Sequence, residues 1–150
     1  MDLTFHATRP MSVERTFVDT NVLLYSIDEK DLRKRDIARE IIAGLCRNGN
    51  GHISMQVVNE FASNLVRKFG RSPSDARKLC ADLSDFRLEV GSMAQVQEAL
   101  RIMEVASISY WDACIVSSAV LSGCRIVMTE DMFSDQRIKG TKIINPFRIA

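Results

Sequence analysis

Short runs rich in β-branched and apolar residues recur along this chain, each followed by a stretch with helical spacing, and that alternation narrows the fold more than any single residue does. Strand-like runs fall at residues 16–18 (TFV), 52–54 (HIS), 88–90 (LEV), 125–129 (RIVMT) and 142–144 (KII). Between them, apolar residues return every three or four positions: Ile37, Ile41, Ile42 and Leu45; then Val57, Val58, Phe61 and Leu65; then Ala76, Leu79, Cys80, Leu83 and Phe86; then Val96, Leu100 and Met103. That period is the signature of amphipathic helices. Strands that alternate with helices cannot pair as hairpins, so the expected fold is α/β: a mostly parallel central sheet of about five strands inside a three-layer α/β/α sandwich.

Local punctuation agrees with this. Gly49 and Gly51 close the first long helix, Ser72-Pro73 opens another as cap and first-turn proline, and Ser92 and Ser109 cap two more. The segment SYWDACIVSSAVLSGC at residues 109–124 is apolar almost all round, which predicts a central, buried helix ending at Gly123. With 150 residues and 46% hydrophobic content, the chain can bury one good core but hardly two. Residues 11–150 are expected to form a single domain, and the polar, aperiodic residues 1–10, ending in Pro10, a small appendage.

Several function classes drop out. No apolar run approaches the roughly 20 residues that span a bilayer, and no leader-like pattern opens the chain, so a soluble, cytoplasmic protein is expected, with no membrane partner. Cys46, Cys80, Cys114 and Cys124 are widely spaced and read as buried thiols of a reducing compartment; with only His6 and His52 besides, they make no zinc site. The formal charge of +1 gives no overall basic field, so a nucleic acid would have to be held by local patches and bound cations. One such patch is Arg67, Lys68 and Arg71, with Arg77 and Lys78 nearby; it reads either as a solvated face or as candidate RNA-binding residues that hold a phosphate backbone.

The chemistry is carried by acids. In FVDTNVLLYSID, residues 17–28, the first strand ends on Asp19, and open α/β sheets bind ligands at the carboxyl ends of their strands. Asp, Thr and Asn also suit a plain turn and helix cap, with Asn21 as the cap, so Asp19 alone decides nothing. Three further acids fall at comparable places. Asp131 follows the fourth strand, Glu60 lies on the helix after the second, and Asp112 stands in the first turn of the apolar helix, where a helix dipole alone would stabilise it. Each is ordinary by itself. Together they predict four carboxylates on one rim, whose repulsion a hard divalent cation would relieve. An oxygen-only set without Cys or His favours Mg2+, with Mn2+ as the second choice, and such sites hydrolyse phosphodiesters.

Other acid-bearing α/β folds fit less well. A receiver domain needs paired early acids and a lysine after its last strand, a haloacid-type phosphatase needs DxDxT where this chain has DTNVL, and a dinucleotide binder needs GxGxxG after the first strand.

Taken with their flanks, FVDTNVLLYSID, ISMQVVNEF, SYWDACIVSSA, VMTEDM and the late IINPF resemble the PIN-domain family, and within it the small stand-alone VapC-type toxins of bacterial toxin–antitoxin pairs. The resemblance covers about residues 11–147. It implies an RNA endonuclease with Asp19, Glu60, Asp112 and Asp131 as its catalytic quartet, of which Asp19, Asp112 and Asp131 ligate the metal. Asn21 and Thr129 would orient carboxylates or waters behind them. It further implies an RNA substrate, a small antitoxin protein as partner, and a homodimer. Two stretches depart from the family pattern, the ten-residue lead and FSDQRIKG at residues 133–140, which lacks a glycine many relatives carry after the last acid's loop. From a different class, the chain reads as a non-catalytic RNA- or protein-binding module that keeps an acidic rim.

Overall fold

The computed structural model describes residues 14–132 and 134–148, so the appendage expected at residues 1–10 lies outside the described residues. In chain order the elements are β1 (Thr16–Val18), α1 (Thr20–Tyr25), α2 (Leu32–Asn48), β2 (Gly51–Ser54), α3 (Met55–Arg67), α4 (Pro73–Ala81), β3 (Arg87–Glu89), α5 (Met93–Val105), α6 (Tyr110–Leu121), β4 (Ile126–Met128), β5 (Arg137–Ile138) and β6 (Thr141–Ile144). They build the expected mixed fold around one sheet, ordered β3-β2-β1-β4-β6-β5. All neighbours pair in parallel except β5 with β6.

This order has a functional consequence. After β1 the chain builds outward through β2 and β3 on one side, and then returns to lay β4 and β6 on the other. The connections therefore diverge between β1 and β4, leaving a crevice above their carboxyl ends where ligands of such sheets bind. The acid-bearing segments after β1 and β4 flank that crevice.

Burial explains the elements. Phe17, Val18, Val127 and Ile143 are shut off from solvent in the central strands, as parallel strands covered on both faces require. The helices fall into two groups: α1 contacts α2 and α3, and α3 contacts α4, with α2 against β2; α5 and α6 pack on each other, and α6 touches β2, β4 and β6. Every residue from Ala113 to Ala119 is buried, as the apolar sequence of α6 predicts. Two glycines have clear geometric reasons. Gly49 ends α2 in the left-handed conformation, φ 70°. A Cβ on Gly51 would come within 2.7 Å of the Phe86 ring, so β2 and the Phe86 segment close up only around glycine there.

Some details differ from the sequence-based expectation. The third strand begins one residue earlier, at Arg87, and Val90 lies outside it at the sheet edge. The helix opened by Ser72-Pro73 stops at Ala81 and tightens into a 3-10 turn, Asp82–Asp85, before Phe86, because Asp82, Ser84 and Asp85 favour local turns over helix. A sixth strand arises from FSDQRIKG, where Lys139 and Gly140 both take positive φ, 50° and 86°, and turn β5 back onto β6. Cys114 and Cys124 are buried as expected, but Cys46 and Cys80 lie half-buried on the helical layer; all four are free. Among the described residues, no helix is long and apolar enough to cross a membrane.

Candidate active site

Asp19 is the hinge between β1 and α1. Its backbone N–H donates to Met128 O of the neighbouring strand at 3.0 Å, and its carboxylate caps α1 by accepting from Thr20 N at 2.8 Å. The cap is thus Asp19 itself rather than Asn21. The second carboxylate oxygen accepts from the Thr129 hydroxyl at 2.8 Å, a side chain delivered by the end of β4. Asp19 is only 6% exposed, and burial pushes its carboxyl up to about 6, with the charges of Glu60 and Asp131 adding to the shift and the bonds from Thr129 and Thr20 opposing it. A buried acid held by dipoles alone, with acids rather than a lysine or arginine beside it, is electrostatically incomplete.

Asn21 ties the two strand ends together. Its Nδ2 donates to Asp131 at 3.0 Å and to the Thr129 hydroxyl at 3.2 Å, while its Oδ1 accepts from Glu130 N at 3.1 Å. The Thr129 hydroxyl also accepts from Asp131 N at 3.1 Å. Glu60, on α3, reaches the same crevice: one oxygen accepts from the Thr20 hydroxyl at 2.7 Å and the other from Gln56 Nε2 at 3.1 Å. Asp112 stands in the first turn of α6, where Ser109 caps the helix by accepting from Asp112 N. Desolvation, with the charges of Asp131 and Glu60, pushes its carboxyl above the ordinary range.

The four sequence-predicted acids are therefore close enough for each to sense others, and Asn21 and Thr129 sit between two of them. Among the described residues, no group of three or more His, Cys, Asp or Glu side chains is placed to hold a metal ion. The donor chemistry nevertheless fits a hard cation. Magnesium and similar ions take one or two carboxylates and keep waters in their remaining positions, and Asp19 and Asp112 both hold their negative charge at an energetic cost that a cation would relieve. Arg67 ends α3, Lys68 is its C-cap and Arg71 follows it. Arg67 lies seven residues beyond Glu60, about 10 Å further along α3, and its guanidinium turns to Asn64.

Sequence reasoning missed the supports of this site. Thr20 bridges Asp19 to Glu60 across a sequence gap of 40 residues, for which no local signal exists. Gln56 lies four residues before Glu60 on the same helix, a spacing that could have marked it. A third support holds the loop after β4: Lys34 of α2 pairs with Glu130, Tyr25 OH donates to Glu130 at 2.7 Å, and the Lys34 ammonium lies 4.7 Å from the Tyr25 ring centre and 5.6 Å from that of Phe147. Glu130 is thereby engaged by Lys34 and Tyr25, whereas its neighbour Asp131 is bonded to Asn21.

A model of the PIN domain matches residues 16–136. No curated protein sequence matches the chain significantly. Among solved structures, a toxin–antitoxin complex from Klebsiella pneumoniae is similar at TM-score 0.67 and 19% identity, over 89% of this chain and 99% of that one. VapBC2 from Rickettsia felis, bound to a DNA fragment from its promoter, is similar at TM-score 0.65 and 16% identity, over 85% and 96%. VapC20 of Mycobacterium tuberculosis, a toxin that cleaves the sarcin–ricin loop, is similar at 0.60 and 19%, over 75% and 86%. At these identities the likeness speaks for the fold.

Proposed function

The chain belongs to the PIN-domain family, and from that premise we propose that it is a metal-dependent endoribonuclease acting as the toxin of a toxin–antitoxin pair. The observation that carries the reading is the state of Asp19: buried, raised to about 6 chiefly by that burial, and within the field of Glu60 and Asp131 at the point where the sheet connections diverge. Such a group is costly unless a cation uses it.

When bound, Mg2+ or Mn2+ supplies positive charge to the phosphoryl oxygens and the leaving group. Asp19, Asp112 and Asp131 are the acids to hold it. Thr20, Thr129 and Asn21 keep the carboxylates in place before the substrate arrives, and Glu60 is fixed by Thr20 and Gln56 at the crevice wall. Arg67, Lys68 and Arg71 offer phosphate contacts further along the strand. The proposed partners are an RNA substrate and a small antitoxin protein; the similar structures support this reading in that one is a toxin that cleaves the sarcin–ricin loop and two are toxin–antitoxin complexes. A homodimer is the proposed assembly, and the cytoplasm its place.

A non-catalytic binding module is the second reading, and the open spacing of the acids favours it. Activity separates the two. Asp19→Asn, Asp112→Asn and Asp131→Asn should each lower metal-dependent RNA cleavage by at least about 100-fold while the melting transition stays cooperative, and any two together should be hardly worse than one. Full cleavage by any of the three single variants would overturn the assignment.

A further inference from the structure

The acidic crevice over β1 and β4 is half of what the carboxyl edge of the sheet offers. Over β2 and β3 lies a second cleft of about 230 Å³, lined among others by Ser54, Gln56, Glu89, Val90, Tyr110 and Trp111. We propose that it is the subsite for the RNA base next to the scissile phosphate, with Trp111 as its stacking platform. The inference rests on the ribonuclease reading and names how that site would hold its substrate.

Four observations support it. Trp111 is the only tryptophan of the chain, and it is 66% exposed although an indole normally buries most of its large apolar area. Its ring has an aromatic neighbour: Tyr110 packs edge-on against it with ring centres 5.2 Å apart, while the Trp111 backbone carbonyl accepts from Gln56 Nε2 at 3.3 Å and fixes the main chain there. An exposed but ordered aromatic face is what a nucleobase stacks on. Second, the cleft is linked to the acids through two of its lining residues, Trp111 and Gln56. Trp111 immediately precedes Asp112, and the amide nitrogen that holds the Trp111 carbonyl also donates to Glu60. Third, among the described residues no lysine or arginine lines the cleft, and Glu89 does, so the walls repel a phosphate and accept a neutral planar group. Fourth, its volume falls below the roughly 300 Å³ at which pockets for larger organic ligands begin, which fits one ring system and not a peptide helix. Gln56 uses its amide nitrogen on Glu60 and Trp111, which leaves its carbonyl oxygen able to accept from a base edge.

Because Trp111 is the sole tryptophan, its fluorescence reports the event directly. In metal-free buffer, where no cleavage occurs, the full-length wild type should bind a labelled pool of short mixed-sequence oligoribonucleotides, and its emission should be quenched in step with the anisotropy of the label. An abasic ribose-phosphate oligomer of equal length should bind more weakly and leave the emission unchanged, as should inorganic phosphate. With manganese present, Trp111→Ala should raise KM on the order of 10- to 100-fold with a much smaller change in kcat, and Trp111→Phe should recover most of the loss because stacking needs only a ring. Binding of the pool without quenching, equal quenching by the abasic oligomer, or an unaltered KM in Trp111→Ala would overturn the subsite while the ribonuclease reading stood. A blue shift that follows protein concentration and ignores RNA would assign the indole to an interface between copies and overturn it too. Absence of both RNA binding and cleavage by the wild type would overturn the ribonuclease reading and the subsite with it.

Discussion

Two buried carboxylates of this chain are handled in opposite ways. Asp19, at the carboxyl end of β1, meets only dipoles and other acids, and burial drives its carboxyl up to about 6. Glu98, inside α5, is also buried, yet Lys139 reaches it at 2.7 Å and Arg101 at 2.9 Å, and their bonds hold its carboxyl below the usual range. The clasp of Glu98 with Lys139 ties the β5–β6 hairpin to α5 and completes its charge within the fold. The Asp19 site leaves its charge open, which costs stability and is what the proposed metal-dependent chemistry would use. Closed charge serves the fold here; open charge serves the proposed chemistry.

The largest test of this contrast is the pH dependence of stability. A carboxyl raised from 3.8 to about 6 on folding binds its proton more tightly in the native state. Its contribution is therefore fully present below pH about 4 and lost as pH rises through about 6, a fall of about 3 kcal/mol for that one group. Metal-free wild type followed by urea unfolding should lose stability over this window. Asp19→Asn should remove the loss, gaining up to about 3 kcal/mol at pH 7, less the cost of reorienting the Thr129 hydroxyl, and nothing at pH 4. Manganese at ten times its Kd should restore about 1.4 kcal/mol to the wild type at pH 7 and little to the variant. A flat wild-type profile between pH 4 and 7 would remove the electrostatic basis of the proposed site.

Glu98 should show the reverse sign with a smaller size. Its folded value is lowered, so its contribution is present above the unfolded 4.5 and lost as pH falls through the folded value. Glu98→Ala should destabilise by about 1 kcal/mol at pH 7, because both cations are partly exposed and screened by solvent. The deficit should shrink in acid; a deficit that is independent of pH would mean that packing and not charge holds the clasp.

The smallest effect separates the clasp from its turn. Lys139 takes a left-handed φ of 50°, which a side chain with a Cβ adopts at a cost of about 1 kcal/mol. Lys139→Gly and Lys139→Ala both lose the bond to Glu98, but glycine also removes the strain. The glycine variant should melt higher than the alanine variant by the equivalent of about 1 kcal/mol, and equal midpoints would show that the turn carries no strain.

Whatever depends on neighbours along the chain is legible in the amino-acid sequence. The alternation of VDT-like strand ends with periodic helices leads to a parallel α/β sheet, the serines at 72, 92 and 109 mark helix starts that they cap through the Asp75, Gln95 and Asp112 amides, and the apolar run after Ser109 marks the buried helix. The short reversal at Lys139-Gly140 is less visible, because β5 is only two residues long and its preceding residues carry no alternation. The four acids are identifiable as positions, since each stands near a strand end or helix start, but their chemistry is not. A carboxylate's charge depends on what surrounds it in space: Thr20 on Glu60, Thr129 on Asp19 and Lys34 on Glu130 are contacts across 40, 110 and 96 residues. Only the folding of β4 beside β1, with their connections diverging above them, decides which acids stay open and which are neutralised. Local hydrogen bonding and hydrophobic period are written residue by residue, whereas desolvation and the Coulomb field are properties of the assembled volume.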